Sequence, residues 1–502
     1  MEFSVSDTWF YSTLKFFVLL FVFLIGLIIL TSIIFYIIDK TQTKHTIRRN
    51  FPVIGRFRWL FEHLGEFFRQ YFFAQDREEL PFNRAQRTWV YKSAKGNNNT
   101  VAFGSTRNLD RRGAMIFLNC AFPVMKKDSV EAEQMIIGPF ARNPFKTTSF
   151  FNISAMSFGA LSKPAVQSLS HGAKKAGIWL NTGEGGLSPY HLEGGCDIVY
   201  QFGTAKYGAR TKDGEFDFDK LKEIGKIPQV KMIELKLAQG AKPGKGGILP
   251  AEKVTEEIAG IRGIEPGKPS ISPNRHPEIK SATELLDMLN KIRETSGLPV
   301  GFKMVMGTDE WLHELFTEIR KRGIESAPDF ITLDSGDGGT GAAPQSLMDD
   351  VGMIIKESLP MLVDLRNEYG LKDRVRIIAS GKLITPAEVA WALCAGADFI
   401  NNARGFLFSL GCIQALKCNK NTCPTGITTH DPKLQKGLVV ENKTERVANF
   451  AKHMISEVGI IAHACGVTEP RKLKRSHVRM VFSNELSKPL NILFPDKQSK
   501  YD

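Results

Sequence analysis

The stretch FITLDSGDGGTG, residues 330–341, reads as an apolar strand, Phe330–Leu333, that runs straight into an acidic, glycine-rich turn. Short apolar runs bounded by turn residues are the signature of buried strands. Glycine at such a turn allows φ > 0 and lets backbone N–H groups approach a ligand. The same pattern recurs on both sides, at Phe151–Met156, Trp179–Asn181, Met232–Leu237, Val300–Val305, Val375–Ala379 and Phe399–Asn402. An eighth strand lies near either Ile198–Phe202 or Pro269–Ser272. Between them fall helical patterns at Pro164–Ala176, Ser281–Thr295, Asp309–Arg322, Val351–Tyr369 and Pro386–Ala395. Strand–helix alternation over this length indicates a parallel sheet. An α/β chain closed into a (β/α)8 TIM barrel is the expected architecture, with a doubly wound sheet as the alternative.

In a barrel of this kind, ligands bind on the loops after the strand C-termini. Those loops are small-residue turns here: Ser154 to Gly159, Asn181 to Gly186, Gln239 to Gly247, Asp334 to Gly341, Ser380 to Lys382 and Ala403 to Gly405. The last two follow strands seven and eight, where barrels commonly hold a phosphate. The set in register predicts a large, phosphate-bearing ligand across the mouth. Lys303 ends a strand, and a core lysine without a partner is costly, so it is expected to meet an anionic ligand or a flavin. Glu184 has two readings, polar lining of the mouth or a carboxylate bracing its loop.

Three of seven cysteines fall together, Cys412, Cys418 and Cys423, the last followed by Pro424. Thiolates this close on one loop suit an iron–sulfur cluster, and three ligands suit a cubane lacking one iron. Zinc, with His430 as fourth ligand, stays open. Cys120, Cys196, Cys394 and Cys465 are scattered and read as small apolar residues. So few cysteines in 502 residues do not build a disulfide scaffold.

Further out lies Phe16–Ile38, FFVLLFVFLIGLIILTSIIFYII, with no charged residue. Such a run is long enough to cross a bilayer core; a buried helix and a signal peptide are the other readings, and the latter's small-residue cleavage site is absent. The chain carries a net charge of +13. Residues 40–112 contribute +9 and residues 471–502 contribute +5, whereas residues 113–470 contribute +1. The balanced body argues against nucleic acid as a partner. Lys40, Lys44, Arg48, Arg49, Arg56 and Arg58 follow the apolar run and Lys15 alone precedes it. The positive-inside rule then predicts a single-pass membrane protein with its body in the cytoplasm and membrane lipid beside those cations. The organisation expected is a short segment 1–15, a transmembrane helix 16–38, a basic, partly helical connector 39–112, a barrel 113–480 with its iron–sulfur loop at 412–423, and a basic tail 481–502. In the connector, Trp59, Leu60, His63, Leu64, Phe67, Phe68 and Tyr71 are helically spaced, and this stripe is expected to pack as core.

SAMSFG from Ser154, NTGEGG from Asn181, QGAKPG from Gln239, ISP at Ile271, DGGTGAAP from Asp337 and the cysteine triplet ending in CPTG stand in one order over roughly residues 100–470. In these motifs the chain resembles the synthase region of glutamate synthases, the family's FMN-binding barrel, and most closely its stand-alone, membrane-anchored members. The resemblance implies FMN, a [3Fe–4S] cluster on Cys412, Cys418 and Cys423, and reductive amination of 2-oxoglutarate, by way of 2-iminoglutarate, to glutamate. That is oxidoreductase chemistry of the class acting on CH–NH2 donors. It implies that Ser154, Ala155, Met156 and Ser157 line the flavin. Gly381, Ala403, Arg404 and Gly405 would hold its phosphate. Lys303 would touch flavin and substrate, and Gln239, Lys242 and Lys303 would bind the substrate carboxylates.

There are departures from the family pattern. The usual GEGG reads Gly244-Lys245-Gly246-Gly247, and the region resembling HDGG reads Gly336-Asp337-Gly338-Gly339. No glutaminase domain, C-terminal β-helix or nicotinamide fingerprint is read here. Nitrogen is therefore expected from ammonia, another amine or a separate glutaminase, and electrons from an external donor, a ferredoxin or a reductase subunit. Two other readings remain: the same barrel acting on a different amine or 2-oxo acid, and a membrane-tethered electron-transfer subunit without catalysis.

Overall fold

Strands whose side chains alternate between two faces can close into a barrel only if one face fills the interior. In the computed structural model, which describes residues 5–483 and 486–501, eight strands do so. They are β1 Phe151–Ile153, β2 Leu180–Asn181, β3 Ile198–Phe202, β4 Val230–Lys236, β5 Val300–Val305, β6 Phe330–Asp334, β7 Arg376–Ser380 and β8 Phe399–Asn402. All neighbours pair in parallel, and β8 returns to β1. The undecided strand is Ile198–Phe202, every residue of which is buried. Ser270–Ile271 instead pairs antiparallel with Ile248–Leu249, and Ile271 is 69% exposed. That exposure is why it is no barrel strand.

The interior is layered along the strands. At the bottom, Val199, Met232, Phe330, Ile378 and Phe399 pack with Trp179 into an apolar plug. The antiparallel pair Met135–Ile137 and Phe145–Thr147 adds Ile137 and Phe145 to it. Two residues higher on each strand, Gln201, Glu234, Thr332, Ser380 and Asn401 form a buried polar layer. Two higher again stand Lys236 and Asp334, with Lys303 in register beside Lys236. Polarity thus rises from the closed end of the barrel to its mouth.

The helices start where capping side chains satisfy free N–H groups. Ser162 accepts from the N–H of Ala165 ahead of Lys163–Ala176, and Ser281 accepts from Glu284 ahead of Ala282–Ser296. The pattern at 351–369 becomes the helix Ile355–Glu368, and a separate short helix, Gln345–Asp350, precedes it. Residues 481–502 are more than a tail. Val478–Ser483 pairs with Met115–Phe117 and with Leu486–Pro489, and Lys497 and Lys500 both reach Glu368.

The chain divides into two compact units, Met1–Ala85 and Gln86–Asp502. The second half of the connector therefore belongs to the barrel unit. There Gln86 donates to Glu388 over 2.9 Å, and the Tyr91 hydroxyl donates to the carbonyl of Cys412 over 2.6 Å. The first unit opens with a helix, Val5–Thr41. Of the expected segment 1–15, residues 1–4 lie outside the described residues, and the rest continues this helix. Within its portion Trp9–Thr41 the most apolar 18-residue window has a mean hydropathy of 3.1 and no buried residue, so this helix is long and apolar enough to cross a membrane. The helix Gly55–Phe68 and a π turn, Arg69–Phe73, follow. One expectation is corrected here: the aromatic stripe is not core. Leu60 is 48% exposed and Tyr71 50% exposed, because nothing in its own unit covers that face.

Candidate functional site

The barrel mouth collects most of the residues expected there. One cavity is lined by Ser154, Ala155 and Ser157 after β1, Glu184 after β2, and Gln239 after β4. Lys303 comes from within β5 and Asp334 from the end of β6; Gly381, Ala403 and Arg404 come from the loops after β7 and β8. A second cavity shares Ala155, Ser157, Glu184, Gln239, Ala403 and Arg404 and extends outward to Met156, Lys242, Lys253, Arg262 and Cys418. Gly405 lines neither. It sits in the helix Arg404–Leu410, where a Cβ would come within 2.6 Å of Asn402 and 2.7 Å of Phe450. Cys412 and Cys423 also line neither of these two cavities.

The lysines of the mouth are paired and buried. Lys303 Nζ lies 3.2 Å from Asp334 Oδ2, which also accepts the N–H of Gly240 at 2.9 Å. Lys236 Nζ lies 3.0 Å from Glu184 Oε2 and donates to Gln239 Oε1 over 2.6 Å. Lys236 is the residue that strand-pattern reading missed. It sits in β4 as Lys303 sits in β5, in register beside it, so the same signal, a lysine in an apolar strand, was present. Glu184 proves to be both of its two readings. It lines both cavities and braces Lys236, and a Cβ on Gly247 would come within 2.4 Å of its carboxylate. Burial pushes the Glu184 carboxyl up, but the nearby cations Lys236, Lys242 and Arg262 hold it below its usual range.

Burial pulls Lys242 down to about 8, with the positive charge of Lys236 acting the same way. Lys253 is likewise drawn down to about 8 by burial; its Nζ donates to the carbonyls of Ala160 at 3.1 Å and Cys418 at 2.9 Å. Lys245 of the altered glycine loop points to solvent. At the end of β7, Ser380, Gly381 and Lys382 form a tight turn. Gly381 has φ 108°, and a Cβ there would meet that of Ser335 at 2.5 Å. Only glycine fits that approach. Lys382 pairs with Asp337 at 2.9 Å, and Arg404 donates to the carbonyl of Thr340. With four cations, Lys236, Lys303, Lys382 and Arg404, against two carboxylates, the lining of the first cavity suits an anionic ligand.

The cysteine loop lies beside this mouth. Arg404 Nη1 is 3.8 Å from Cys418 Sγ, and the three sulfurs are close enough that the charge of Cys418 and Cys423 acts on Cys412. Burial raises the Cys412 thiol to about 11; at Cys423 hydrogen bonds involving Thr425 and Thr428 overcome burial and lower it. Among the described residues no group of three or more His, Cys, Asp or Glu is arranged to hold a metal ion. His430 has its Nε2 on the carbonyl of Gly159 at 2.8 Å. Three thiols thus lie near two cations, Arg404 and Lys253, a donor set that fits a thiolate-held anionic group.

Residues 111–468 match the family model described as the conserved region in glutamate synthase. The glutamate synthase large subunit-like protein YerD of Bacillus subtilis is 41% identical over 94% of this chain and 96% of its own length. The archaeal-type NADPH glutamate synthase of Thermotoga maritima is 32% identical over 64% of this chain and 60% of its own. The archaeal NADPH glutamate synthase of Methanocaldococcus jannaschii is 32% identical over 68% and 64%. This chain thus spans under two thirds of the length of the latter two.

Proposed function

The chain belongs to the glutamate synthase family, and from that premise we propose that its barrel mouth reductively aminates 2-oxoglutarate, by way of 2-iminoglutarate, to glutamate, with FMN and a [3Fe–4S] cluster as resident cofactors. The observation that carries this reading is the row of buried lysines across the strand ends. Lys236 and Lys303 stand side by side in register, each with its own carboxylate, and Lys242 lies just outside. A dicarboxylate substrate needs this arrangement: fixed cations in a partly dry site, where a charge-assisted hydrogen bond is strong.

FMN, when bound and reduced by the external donor, would supply a hydride to the imine carbon. Ser154, Ala155, Met156 and Ser157 would lie along its ring, and Gly381, Ala403 and Arg404 would hold its phosphate. Lys303 and Lys242 bind and orient the substrate carboxylates, and Gln239 fixes Lys236 so that its ammonium stays aimed into the mouth. Lys242, drawn down to about 8, is also suited to hand a proton to the nitrogen of the forming amine near neutral pH. Cys412, Cys418 and Cys423 would hold the cluster, with Arg404 between it and the mouth as compensating charge. Ammonia or an amine enters from outside, a separate glutaminase being one source, and a ferredoxin or reductase subunit supplies electrons. The apolar helix Trp9–Thr41 anchors the body to the cytoplasmic face of a membrane.

The test is an anaerobic assay of purified full-length protein, loaded with flavin and iron, given a reduced viologen, 2-oxoglutarate and ammonium. Glutamate is the expected product. No glutamate with both cofactors in place removes this reading.

A further inference from the structure

Resting on the reading of Trp9–Thr41 as a membrane span, we infer that the helix Gly55–Phe68, which follows the short helical turn Thr46–Asn50, lies in the membrane interface with its aromatic face among lipid acyl chains. The anchor is then an elbow of two elements.

Three observations carry this. The first is the face itself. At the helical repeat, Phe57, Leu60, Phe61, Leu64, Phe67 and Phe68 fall within a sector about 120° wide. All six are exposed, from 36% at Leu64 to 65% at Phe61. Arg58, Glu62 and Glu66 take the opposite side. A contiguous apolar face of this kind marks an interaction surface.

The second is its placement. Asp39, in the last turn of the span, is fully buried and accepts from Arg56 Nε at 2.8 Å, Arg56 Nη2 at 2.7 Å and the N–H of Val53 at 3.1 Å. The Arg56 guanidinium also lies over the Phe35 ring, 4.0 Å from its centroid. The start of the second helix is therefore tied to the end of the first, where hydrocarbon gives way to headgroups. Arg48 stacks on Trp59 at 4.4 Å, bracing the turn between them.

The third is charge. From Lys40 to Arg69 the chain carries seven cations against the two acids Glu62 and Glu66. A basic segment with an aromatic face is complementary to an anionic lipid surface.

The experiment places p-benzoylphenylalanine at Phe61, at Glu66 or at Leu24 of the full chain, reconstituted in vesicles of equal parts phosphatidylcholine and phosphatidylglycerol. On irradiation, Leu24 and Phe61 are expected to give lipid adducts, and Glu66 several-fold fewer. Lipid adducts at Leu24 with no excess at Phe61 over Glu66, or protein adducts at Phe61, overturn the inference while leaving the span intact. No lipid adduct at Leu24 overturns both. A second variant, Phe61→Ser with Phe68→Ser, is expected to speed hydrogen exchange of the amides in this helix in the same vesicles. Unchanged protection counts against the inference.

Discussion

Lys303 and Asp334 face each other across the adjacent strands β5 and β6, Nζ 3.2 Å from Oδ2, with each side chain 7% exposed. Asp334 is held a second time by the N–H of Gly240 at 2.9 Å, so the carboxylate fixes the β4 loop as well as the lysine. A buried pair of this kind is costly to break from one side, because the remaining charge has no partner. Lys303→Met is expected to cost about 3–5 kcal/mol of stability and to lower kcat/KM for 2-oxoglutarate by ~100-fold or more. The double variant Lys303→Met with Asp334→Asn should regain most of the melting temperature and none of the activity. Calorimetry beside steady-state kinetics checks both. Additive losses in the double variant would show that the two residues are not coupled.

Lys242 gives a pH prediction with a definite sign. Its folded value of about 8 lies below the ordinary 10.5, because burial disfavours the ammonium form. Below pH 8 the lysine is charged in both folded and unfolded chains, and the folded state carries the full desolvation cost. As pH rises from 8 to 10.5 the folded chain sheds its proton first and the cost fades. Lys242→Met is therefore expected to stabilise the cofactor-free protein at pH 7, by up to about 3 kcal/mol, and the gain should vanish above pH 10.5. In the enzyme, kcat/KM for 2-oxoglutarate should fall as pH rises through about 8, where the carboxylate loses its cation. Melting curves and kinetic profiles across this range test the two halves separately.

The barrel was legible because its strands are short apolar runs closed by glycine turns, and β5 and β8 fall on their expected bounds. That Lys303 and the turns after β7 and β8 reach the mouth was legible for the same reason: loops after the strand C-termini line it. Two things were hidden. The choice of Ile198–Phe202 over the run near Pro269 depends on which is enclosed by neighbours, and periodicity does not carry that. The pairing of Lys236 with Glu184 joins residues more than fifty positions apart, through a loop whose shape depends on Gly247. The connector stripe misled because helical spacing of aromatics reads the same whether the face meets a protein core or is left bare.

The cysteine loop predicts a set of equal losses. If Cys412, Cys418 and Cys423 jointly hold one cluster, changing any one of them to Ser should lower iron content and its EPR signal to a similar extent. His430→Ala should leave iron in place, since the Nε2 of that ring is engaged with Gly159. Iron retained in Cys418→Ser but lost in His430→Ala would reverse the assignment of ligands. Arg404→Met leaves the thiols untouched and removes the cation 3.8 Å from Cys418. It should shift the cluster's reduction potential downward, because the electron gained on reduction is no longer stabilised by that cation.

Below the mouth, Glu234 is buried in the polar layer, and its two oxygens accept from Asn181 at 2.8 Å, from Gln201 at 2.5 Å and from the Thr332 hydroxyl. An ionised carboxylate only accepts, which is what three converging donors require. Glu234→Gln keeps the volume but turns one acceptor into an NH2 group, so a donor must face a donor. The cost of an unsatisfied buried group is about 1–3 kcal/mol, and the melting temperature should fall accordingly. Because Glu234 sits two residues below Lys236 on the same strand, the loss should also loosen the Lys236–Glu184 pair. The expected result is a raised KM for 2-oxoglutarate, with flavin content unchanged. Thr332→Val removes one donor without creating a clash and should cost less than Glu234→Gln. The reverse order would mean that the layer is held by packing instead of by its hydrogen bonds.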